Sequence, residues 1–274
     1  MMVSIIIVNY NSGYFLNECL KSIDLYAGNN VEVIVVDNHS SDDSINKCAS
    51  YFDDKKFRCI ILSDNLGFAK ANNVGAKESR GEILHFLNPD TKFREGMYSD
   101  YQQCRTEPSF IYINALQNLD GSYVDSKNLI PTLPNMFRRF FCGNSCDYWY
   151  TGASVIISKN NFNKIGGWNE SYFMYSEDLD LFYKAQKKGL VIKKLPTIVT
   201  HVGGGSSSKV WNNYERELKV QKSFKKFYIV NGIKWQYPFV LIMSFFRILM
   251  IKPEKSFFYL KVWIDLNCLK KKTV

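Results

Sequence analysis

The amino-acid sequence predicts an α/β fold, with a mainly parallel, Rossmann-like sheet flanked by helices and a basic, amphipathic helical extension at the C-terminus. Apolar β-branched runs alternate with segments of helical spacing from residue 3 to residue 88, which is the pattern of βαβ units. The charge is divided unevenly. Residues 1–208 contain 21 Lys and Arg against 22 Asp and Glu, whereas residues 209–274 contain 14 against 4, so the net charge of +9 belongs to the C-terminal quarter.

The first half of the chain predicts four strands and three helices in alternation. Continuous apolar runs indicate strands buried on both faces, and apolar residues three and four apart indicate helices. Ser40 or Ser41 would cap the second helix, with acidic residues in its first turn. In order, the predicted elements are strand 3–8, helix 13–26, strand 31–37, helix 40–52, strand 57–62, helix 67–79 and strand 82–88.

The second half is less regular, and its apolar C-terminal segment is the main feature. Residues 237–251 form an apolar run of about 15 residues with one Arg, which is short of the roughly 20 needed to span a bilayer. The predicted order is strand 109–116, a long connection at 117–148, strand 149–158, a loop, helix 177–188, a strand pair leading into the Gly/Ser-rich loop at 203–208, and a basic helix at about 211–228.

Composition and cysteine usage favour a folded protein from a reducing compartment. Hydrophobic residues make up 46% and charged residues 22% of the chain, which argues against disorder. The 7 cysteines are odd in number and scattered, so we interpret them as reduced cytosolic thiols. The apolar run at the start is too short for a signal peptide and lacks a basic region before it, so none is predicted.

An acidic cluster at the start of the 177–188 helix is the first sign of chemistry. Glu177, Asp178 and Asp180 fall within four positions, directly after an aromatic segment. Acidic residues favour the first turn of a helix through its dipole, which accounts for one or two of the three. The apolar approach could hold a carboxylate as a general base. Asp180 is interpreted as structural.

Three further residues lie at predicted strand ends, where parallel sheets bind ligands. Asp37 could accept hydrogen bonds from a nucleotide, or could cap the following helix. Asp90 could bind Mg²⁺ or Mn²⁺ together with substrate phosphates, or could stabilise a turn after Pro89. His201 precedes a Gly/Ser-rich loop, where it could complete a metal or phosphate site or simply pack.

Seven segments in order resemble the family 2 inverting glycosyltransferases of the GT-A fold, and bacterial rhamnosyltransferase-like members that build surface polysaccharides such as O-antigen in particular. The resemblance covers residues 2–208. The segments are VSIIIVNYN, VDNHSSD, NLGFAKANNVGA, HFLNPDT, TGASVIIS, GGWNESYFMYSEDLDL and HVGGGSS.

The resemblance implies a catalytic domain at 1–208, with a nucleotide-sugar half at 1–116 and an acceptor half at 117–208, and an extension at 209–274. It also implies a role for particular residues. Asp178 would be the catalytic base, with Glu177 beside it, and Asp90 and His201 would hold Mg²⁺ or Mn²⁺. The donor would contact Tyr10, Asn11, Asp37, Asn38, Asn65, Gly67, Asn73 and Asn88, and the acceptor Trp149, Gly152, Trp168 and Tyr175.

The resemblance further implies a donor, an acceptor and a cellular location. The Asn88-Pro89-Asp90 form of the metal motif favours dTDP-rhamnose over a UDP-hexose. The acceptor would be a glycan or lipid-linked glycan. The basic tail brackets an apolar stretch, which suits a helix lying on anionic lipid, so we expect a cytoplasmic protein peripheral to the inner face of the plasma membrane.

Two other classes of protein remain possible from the sequence. A basic tail with interleaved aromatic residues could bind nucleic acid, but residues 1–208 are near neutral, so no nucleic-acid partner is expected. A nucleotidyltransferase would share the sheet and the metal carboxylate. It would also need a Gly-rich, basic phosphate loop after the first strand, and NYNSGYF does not provide one.

Overall fold

The computed structural model describes residues 2–51, 56–107, 109–142, 146–202 and 212–268. Within them, a curled and mostly parallel sheet carries helices on both faces, as the sequence predicts. The strands are β1 (Val3–Asn9), β2 (Val31–Asp37), β3 (Phe57–Ile61), β4 (Ile83–Leu87), β5 (Thr91–Lys92), β6 (Phe110–Gln117), β7 (Tyr123–Val124), β8 (Lys127–Leu129), β9 (Tyr148–Tyr150), β10 (Ser154–Ser158) and β11 (Val191–His201).

Nine helices occur in the same described ranges. They are α1 (Tyr14–Tyr26), α2 (Phe68–Glu78), α3 (Met97–Thr106), α4 (Leu133–Cys142), α5 (Lys159–Lys164), α6 (Glu177–Lys187), α7 (Asn213–Val230), α8 (Tyr237–Ile251) and α9 (Pro253–Cys268). Short 3₁₀ turns add Asn46–Tyr51 and Lys234–Gln236.

The order of strands in the sheet brings the two halves of the chain together. Across the described strands the order is β3-β2-β1-β4-β10-β6-β11-β5, with β7 paired to β6. The strands β1 to β4 are mutually parallel where they pair, and β6 is parallel to β11. Strand β10 runs antiparallel between β4 and β6. The β8–β9 ladder forms a separate two-stranded sheet.

The described strands and helices differ from the sequence predictions in four places. The helix predicted at 40–52 is only a 3₁₀ turn at Asn46–Tyr51, because the side chains of Asp37, Asp42 and Ser40 bond to nearby backbone and hydroxyl groups instead of capping a helix. The connection at 117–148 contains β7, β8 and α4, and the strand at 149–158 is two strands. The strand pair predicted from residue 191 is one strand, β11, with a bulge between Leu195 and Ile198. The Gly/Ser-rich loop at 203–208 lies outside the described residues.

Two apolar layers cover the sheet. One lies between the sheet and helices α1 and α3, with Leu16, Leu20 and Met97 fully buried. The other lies between the sheet and helices α2, α5 and α6, and Trp168 and Phe182 are among its largest side chains. Burial of this kind on both faces explains why the strands read as continuous apolar runs in the sequence.

A chain of buried polar groups crosses the middle of the sheet. His85 on β4 contacts Ser154 Oγ on β10 at 2.9 Å, and Ser154 donates to Asn114 Oδ1 on β6 at 2.8 Å. Asn114 in turn donates to Asp100 on α3 at 3.0 Å. Burial lowers the pKa of His85 to about 3, so the imidazole is neutral. This histidine is therefore a structural group of the core.

Helices α7 and α8 pack directly on the sheet domain. Phe227 and Tyr228 of α7 are fully buried against Ile130 and Leu179. Tyr228 also donates to the Pro131 carbonyl at 2.6 Å. Helices α7 and α8 are thus continuous in packing with the sheet domain.

Candidate active site

A cavity of about 330 Å³ opens at the carboxyl ends of β1 and β4, and most of the predicted donor, metal and catalytic residues line it. This volume is at the lower end of the range for small-molecule sites. Eleven of the sixteen predicted site residues contribute to its wall. They are Tyr10, Asn38, Asn65, Gly67, Asn88, Asp90, Gly152, Tyr175, Glu177, Asp178 and His201.

The donor side of the cavity is built by a hydrogen-bonded pair of asparagines. Asn38 follows β2 and donates to Asn65 Oδ1 at 2.9 Å, and its own Oδ1 accepts from the Leu66 amide at 2.8 Å. Asn65 Oδ1 also accepts from the Gly67 amide at 3.0 Å. These bonds fix the turn before α2 against the end of β2.

The metal side forms because β5 pairs with the end of β11. His201 lies opposite Thr91 in that antiparallel ladder, which brings the imidazole to the segment that follows β4. His201 Nε2 lies 3.3 Å from Asp90 Oδ1. The Val202 amide donates to the Asp90 carbonyl at 3.0 Å, which ties the two segments together again.

These residues suit a hard divalent cation that is shared with a substrate. Asn88 Oδ1 is a buried oxygen that has no hydrogen-bond partner, beside the carboxylate of Asp90 and the imidazole of His201. Mg²⁺ is typically held by one or two carboxylates together with substrate phosphates. In the described part of the chain no three His, Cys, Asp or Glu side chains cluster as a metal site on their own. A diphosphate would therefore have to complete the coordination.

The catalytic side is the start of α6. Asp178 Oδ2 accepts from the Gly152 amide at 3.3 Å, and Asp178 Oδ1 accepts from the Leu179 amide at 2.8 Å. Glu177 is buried, and its Oε2 has no hydrogen-bond partner. A Cβ added at Gly152 would lie 3.3 Å from the Asp178 Cβ, so the glycine lets the turn between β9 and β10 approach Asp178 closely.

Burial changes the protonation of this acidic pair. Desolvation raises the pKa of Asp178 above its usual range. Desolvation, and then the charge of Asp178, raises the pKa of Glu177. Two adjacent carboxyl groups with raised pKa values can hold and accept protons near neutral pH, which is the property a general base requires.

The segment before α6 has an unusual backbone and is held at both ends. Tyr175 and Ser176 both have positive φ values, 70° and 63°. On the donor side, the Phe68 amide donates to the Phe173 carbonyl at 3.0 Å, and a Cβ at Gly67 would come within 2.4 Å of that same carbonyl oxygen. The donor turn and the segment that carries the acids are therefore in direct contact.

Helix α7 holds the same segment from its other side. Ser223 Oγ donates to the Tyr175 carbonyl at 2.5 Å, and Lys226 donates to the Ser171 carbonyl. Asn231, which follows α7, donates to Asp180 Oδ1 at 2.7 Å. Asp180, interpreted from sequence as structural, is almost completely buried in this contact. The acids of α6 therefore depend on α7 for their position.

Five predicted site residues lie outside the cavity wall, and each has a structural partner. Asp37 accepts from Asn9 and from the Ser40 amide, and Asn11 Oδ1 accepts from the Ser41 and Asp42 amides. Asn73 bonds to the backbone of Trp168 through both ends of its carboxamide. Trp168 is buried beneath Gly152, and Trp149 is half-buried between two apolar clusters. These placements would let the five residues support the cavity wall, and the substrate contacts expected of them from the sequence stay a prediction.

Other residues of the cavity wall were not expected from the sequence. They are Val8, Phe68, Pro89, Thr151 and Met174. Each is adjacent in sequence to a predicted residue or within two positions of one, so proximity to the predicted residues could have identified them. Thr151 is next to Gly152, so it belongs to the part of the cavity wall near Asp178.

Comparison with known proteins agrees with this geometry. The sequence profile described as "Glycosyl transferase family 2" matches residues 4–102. These residues contain β1 to β4 and the donor side of the cavity, with Asn88 and Asp90.

Residues 4–102 are therefore similar to the glycosyl transferase family 2 domain.

Similarity over longer stretches points to the same group of proteins. The chain is 29% identical over 206 residues to "Low-salt glycan biosynthesis hexosyltransferase Agl10" of Haloferax volcanii, which covers 69% of this chain and 63% of that protein. The chain thus spans less than two thirds of that relative. Other curated relatives are also named glycosyltransferases.

Two solved structures confirm the GT-A-like fold. GalNAc-T7 with UDP, GalNAc and Mn²⁺ superposes with a TM-score of 0.63 at 15% identity, over 84% of this chain and 48% of that one. TarS of S. aureus in complex with UDP-GlcNAc gives a TM-score of 0.59 at 20% identity, over 83% of this chain and 66% of that one. The predicted GT-A-like α/β fold is confirmed, and the sequence matches are to proteins named glycosyltransferases. The rhamnosyltransferase-like subgroup is not confirmed by these matches.

Proposed function

We propose that this family 2 protein is an inverting glycosyltransferase that moves a sugar from a nucleotide-diphosphate donor to an acceptor hydroxyl. The observation that carries the proposal is the single cavity shared by the Asn38–Asn65 turn, the Asp90–His201 pair and the acidic pair at the start of α6. Such a reaction requires donor binding, neutralisation of the diphosphate and removal of a proton. Each of these three groups of residues would perform one of the tasks from its own side of the cavity.

The donor would lie between Tyr10 and the turn at Asn65 and Gly67. Gly67 has φ of 83° and no room for a side chain, so the backbone there can approach a bound nucleotide sugar closely. Asn38 acts on the donor by holding this turn. Three predicted donor residues outside the cavity wall would act indirectly, by holding β1, β2 and α2 in place around this turn. They are Asp37, Asn11 and Asn73.

A divalent cation, Mg²⁺ or Mn²⁺, would be held by Asp90, His201 and the carboxamide oxygen of Asn88. When bound, it would neutralise charge on the leaving nucleoside diphosphate. The complex of GalNAc-T7, a protein of the same fold, contains Mn²⁺ together with UDP. Asp90 is the single carboxylate in this set, so we expect the cation to bind together with the diphosphate of the donor.

Asp178 would take the proton of the acceptor hydroxyl as that oxygen attacks the anomeric carbon from the face opposite the nucleotide. The Gly152 amide orients the carboxylate, and the buried Glu177 is its neighbour at the start of α6. The acceptor would enter along Gly152 and Tyr175, with Trp149 and Trp168 supporting that wall from behind.

Two donor classes fit this cavity, and ligand binding distinguishes them. The Asn88-Pro89-Asp90 motif favours dTDP-rhamnose, whereas the two fold neighbours were solved with UDP or UDP-GlcNAc, which makes a UDP-hexose the second candidate. Thermal shift with a panel of nucleotide sugars, with and without Mn²⁺ or Mg²⁺, would identify the base and the metal together.

We propose a lipid-linked glycan of a surface polysaccharide as the acceptor, reached from the inner face of the plasma membrane. The support is the basic C-terminal quarter and the exposed apolar side chains of α8 and α9, such as Phe246 and Phe257. None of the helices in the described ranges is long and apolar enough to cross a membrane. Contact with the lipid would therefore be peripheral.

Substitution of the proposed base tests the mechanism. Asp178→Asn removes the proton acceptor and keeps the shape of the side chain, so kcat should fall by about 10²–10⁴ while the thermal shift produced by the donor stays the same. Glu78→Gln, at the exposed end of α2, is the matched control and should leave both unchanged. If Asp178→Asn lost donor binding and kept turnover, the assignment of the base would be wrong.

A further inference from the structure

Helix α4 buries a polar side chain and exposes three phenylalanines, which is unusual for a surface helix. Asn135 is completely buried, and its carboxamide donates to the Ile130 and Asp147 carbonyls at 2.8 and 2.7 Å. The Asp147 amide donates back to Asn135 Oδ1 at 2.8 Å. On the same side of the helix, Arg138 forms an ion pair with Asp147.

The opposite side of α4 is aromatic and exposed. Phe137, Phe140 and Phe141 have 57%, 83% and 74% of their surface exposed. Their described ring contacts are with one another, at centroid distances of 6.5 Å for Phe137 and Phe141 and 5.1 Å for Phe140 and Phe141. A cluster of three exposed phenylalanines on one helix face indicates an interaction surface.

Helix α8 has a similar exposed apolar face, and the two helices meet at one junction. The exposed residues recur at the helical spacing Phe239, Ile242, Phe246 and Leu249. At the junction, the Leu133 amide at the start of α4 donates to Gln236 Oε1 just before α8, at 2.8 Å. Leu133 and Met136 also pack in the same apolar cluster as Tyr237 and Val240.

The charge of this region selects an anionic lipid surface as the partner. Arg139 lies beside the phenylalanines of α4, next to the ion-paired Arg138, and Arg247, Lys252 and Lys255 are exposed on α8 and just after it. Basic residues beside exposed aromatic and aliphatic side chains are the composition of helices that lie in a membrane interface. A second copy of this chain, which also carries a net charge of +9, is a poorer match because the two basic surfaces would repel each other.

We propose that α4 is a second membrane-contacting helix, so that the protein docks on an anionic bilayer through α4 and through α8 and α9 together. The inference rests on the proposed membrane-bound acceptor and adds a contact that lies outside the C-terminal extension. Helix α4 lies between β8 and β9 in the sequence, and β9 leads directly to Thr151 and Gly152 in the cavity wall. Docking of α4 therefore places the acceptor side of the cavity next to the lipid.

Vesicle flotation of the full chain tests this proposal. The protein is mixed with vesicles of phosphatidylethanolamine and phosphatidylglycerol, or of phosphatidylcholine alone, and the floated fraction is measured. The double variant Phe140→Glu, Phe141→Glu should bind the anionic vesicles at least about tenfold more weakly. The reason is that two apolar side chains are lost from the inserted face and two negative charges are placed against an anionic lipid surface. The matched control, Leu25→Glu with Ile61→Glu, changes two equally exposed apolar residues of the N-terminal half and should bind as the wild type does.

Thermal shift, sugar transfer and oligomeric state, measured on the same proteins, separate the possible outcomes. The thermal shift with the donor should be the same for wild type and both variants, which shows that the α4 variant folds. An α4 variant that floats like the wild type overturns the role of α4 and leaves the membrane role of the extension intact. A wild type that transfers sugar but does not float overturns every membrane contact and leaves the transferase standing. A wild-type dimer that the α4 variant dissociates, with no flotation, would show that α4 joins two copies instead.

Discussion

At the scale of single residues, Glu177 and Asp178 are the groups whose chemistry depends most on their surroundings. The sequence places two acids at the start of a helix. The fold buries Glu177 and leaves Asp178 half-buried, with its carboxylate bonded to the Gly152 amide. Burial is the first cause of the raised pKa of each carboxyl group. An exposed pair at a helix start would have the opposite tendency, because the helix dipole favours the charged form. Here desolvation exceeds the dipole.

This raised pKa predicts the acid limb of the pH profile. A base must be ionised to work, so kcat/KM should fall as the pH drops through the raised pKa of the pair, above the value of about 3.9 for an ordinary Asp. Glu177→Gln should leave the acid limb of the kcat/KM profile at a similar pH, because burial is the first cause of the raised pKa of Asp178. The measurement is kcat/KM against pH for wild type and variant, and a wild-type limb near the ordinary Asp value would contradict the burial argument.

At the scale of elements, α7 determines how well the acids of α6 are positioned. Backbone in the left-handed region costs about 1–3 kcal/mol per non-Gly residue and persists only where its surroundings hold it. Tyr175 and Ser176 are two such residues in succession, and the Ser223 hydroxyl holds the carbonyl of the first. Removing that bond should let the segment relax and move Asp178 away from its productive position.

We therefore expect the double variant Ser223→Ala, Asn231→Ala to lower kcat by about tenfold or more, since a small misplacement of a catalytic group is costly. Donor affinity should change little, because neither side chain lines the cavity. Gln221→Ala is the control on the same helix, since Gln221 accepts from Trp263 on α9 at 3.2 Å. Ser223→Thr keeps a hydroxyl and should retain activity. An unchanged kcat in the double variant would show that the segment holds its shape without α7.

Strands and helices were predicted correctly where the sequence pattern is local. They were missed where the structure depends on which segments pack against each other. Strands β1 to β4 match their predicted ranges within two residues, because β-branched runs favour a strand whatever packs on them. Helix α4 was missed inside a predicted connection, since its three phenylalanines face solvent and its fully buried residue is Asn135. The bulge in β11 surrounds Pro196, which has no amide hydrogen to donate to the ladder, and this splits one strand into an apparent pair.

The candidate site was predictable as a set of motifs but not as a set of contacts. The resemblance supplied Asp90, Asp178 and His201, and the fold brings all three to one cavity. Nothing in the sequence separates Asn38, which lines the cavity, from Asp37, which lies beside it and bonds to Asn9. That distinction depends on side-chain direction at the end of β2, which the tertiary structure sets.

At the scale of the whole molecule, the expected boundary at residue 208 does not separate two packing units. Phe227 and Tyr228 fill an apolar cluster that also contains Leu179, one residue after Asp178. Removal of the extension would expose this cluster and take away the bonds to Tyr175 and Asp180. A membrane assay that compares the full chain with residues 1–208 would thus compare a folded protein with a damaged one.

Two truncations test this packing argument. A chain that ends at residue 208 should lose cooperative thermal unfolding or fail to remain soluble. Truncation of one buried Phe commonly costs about 3–5 kcal/mol, and net stabilities are about 5–15 kcal/mol. A chain that ends at residue 252 keeps α7 and α8 and should still be stabilised by the donor. A stable, donor-binding product from residues 1–208 would show that the catalytic domain is independent of α7.

The position of β10 between β4 and β6 has a consequence for synthesis on the ribosome. Residues 4–102, which carry the family match, leave the ribosome with β1 to β4 complete but with one edge of β4 unpaired. The partner of that edge, β10, ends 71 residues after β4 does, at Ser158 rather than Leu87. At about 5–20 residues per second, the nascent sheet waits roughly 4–14 s with an apolar edge open. During that interval the growing chain is exposed to mispairing with other strands, and it is the interval in which chaperone contact would matter most.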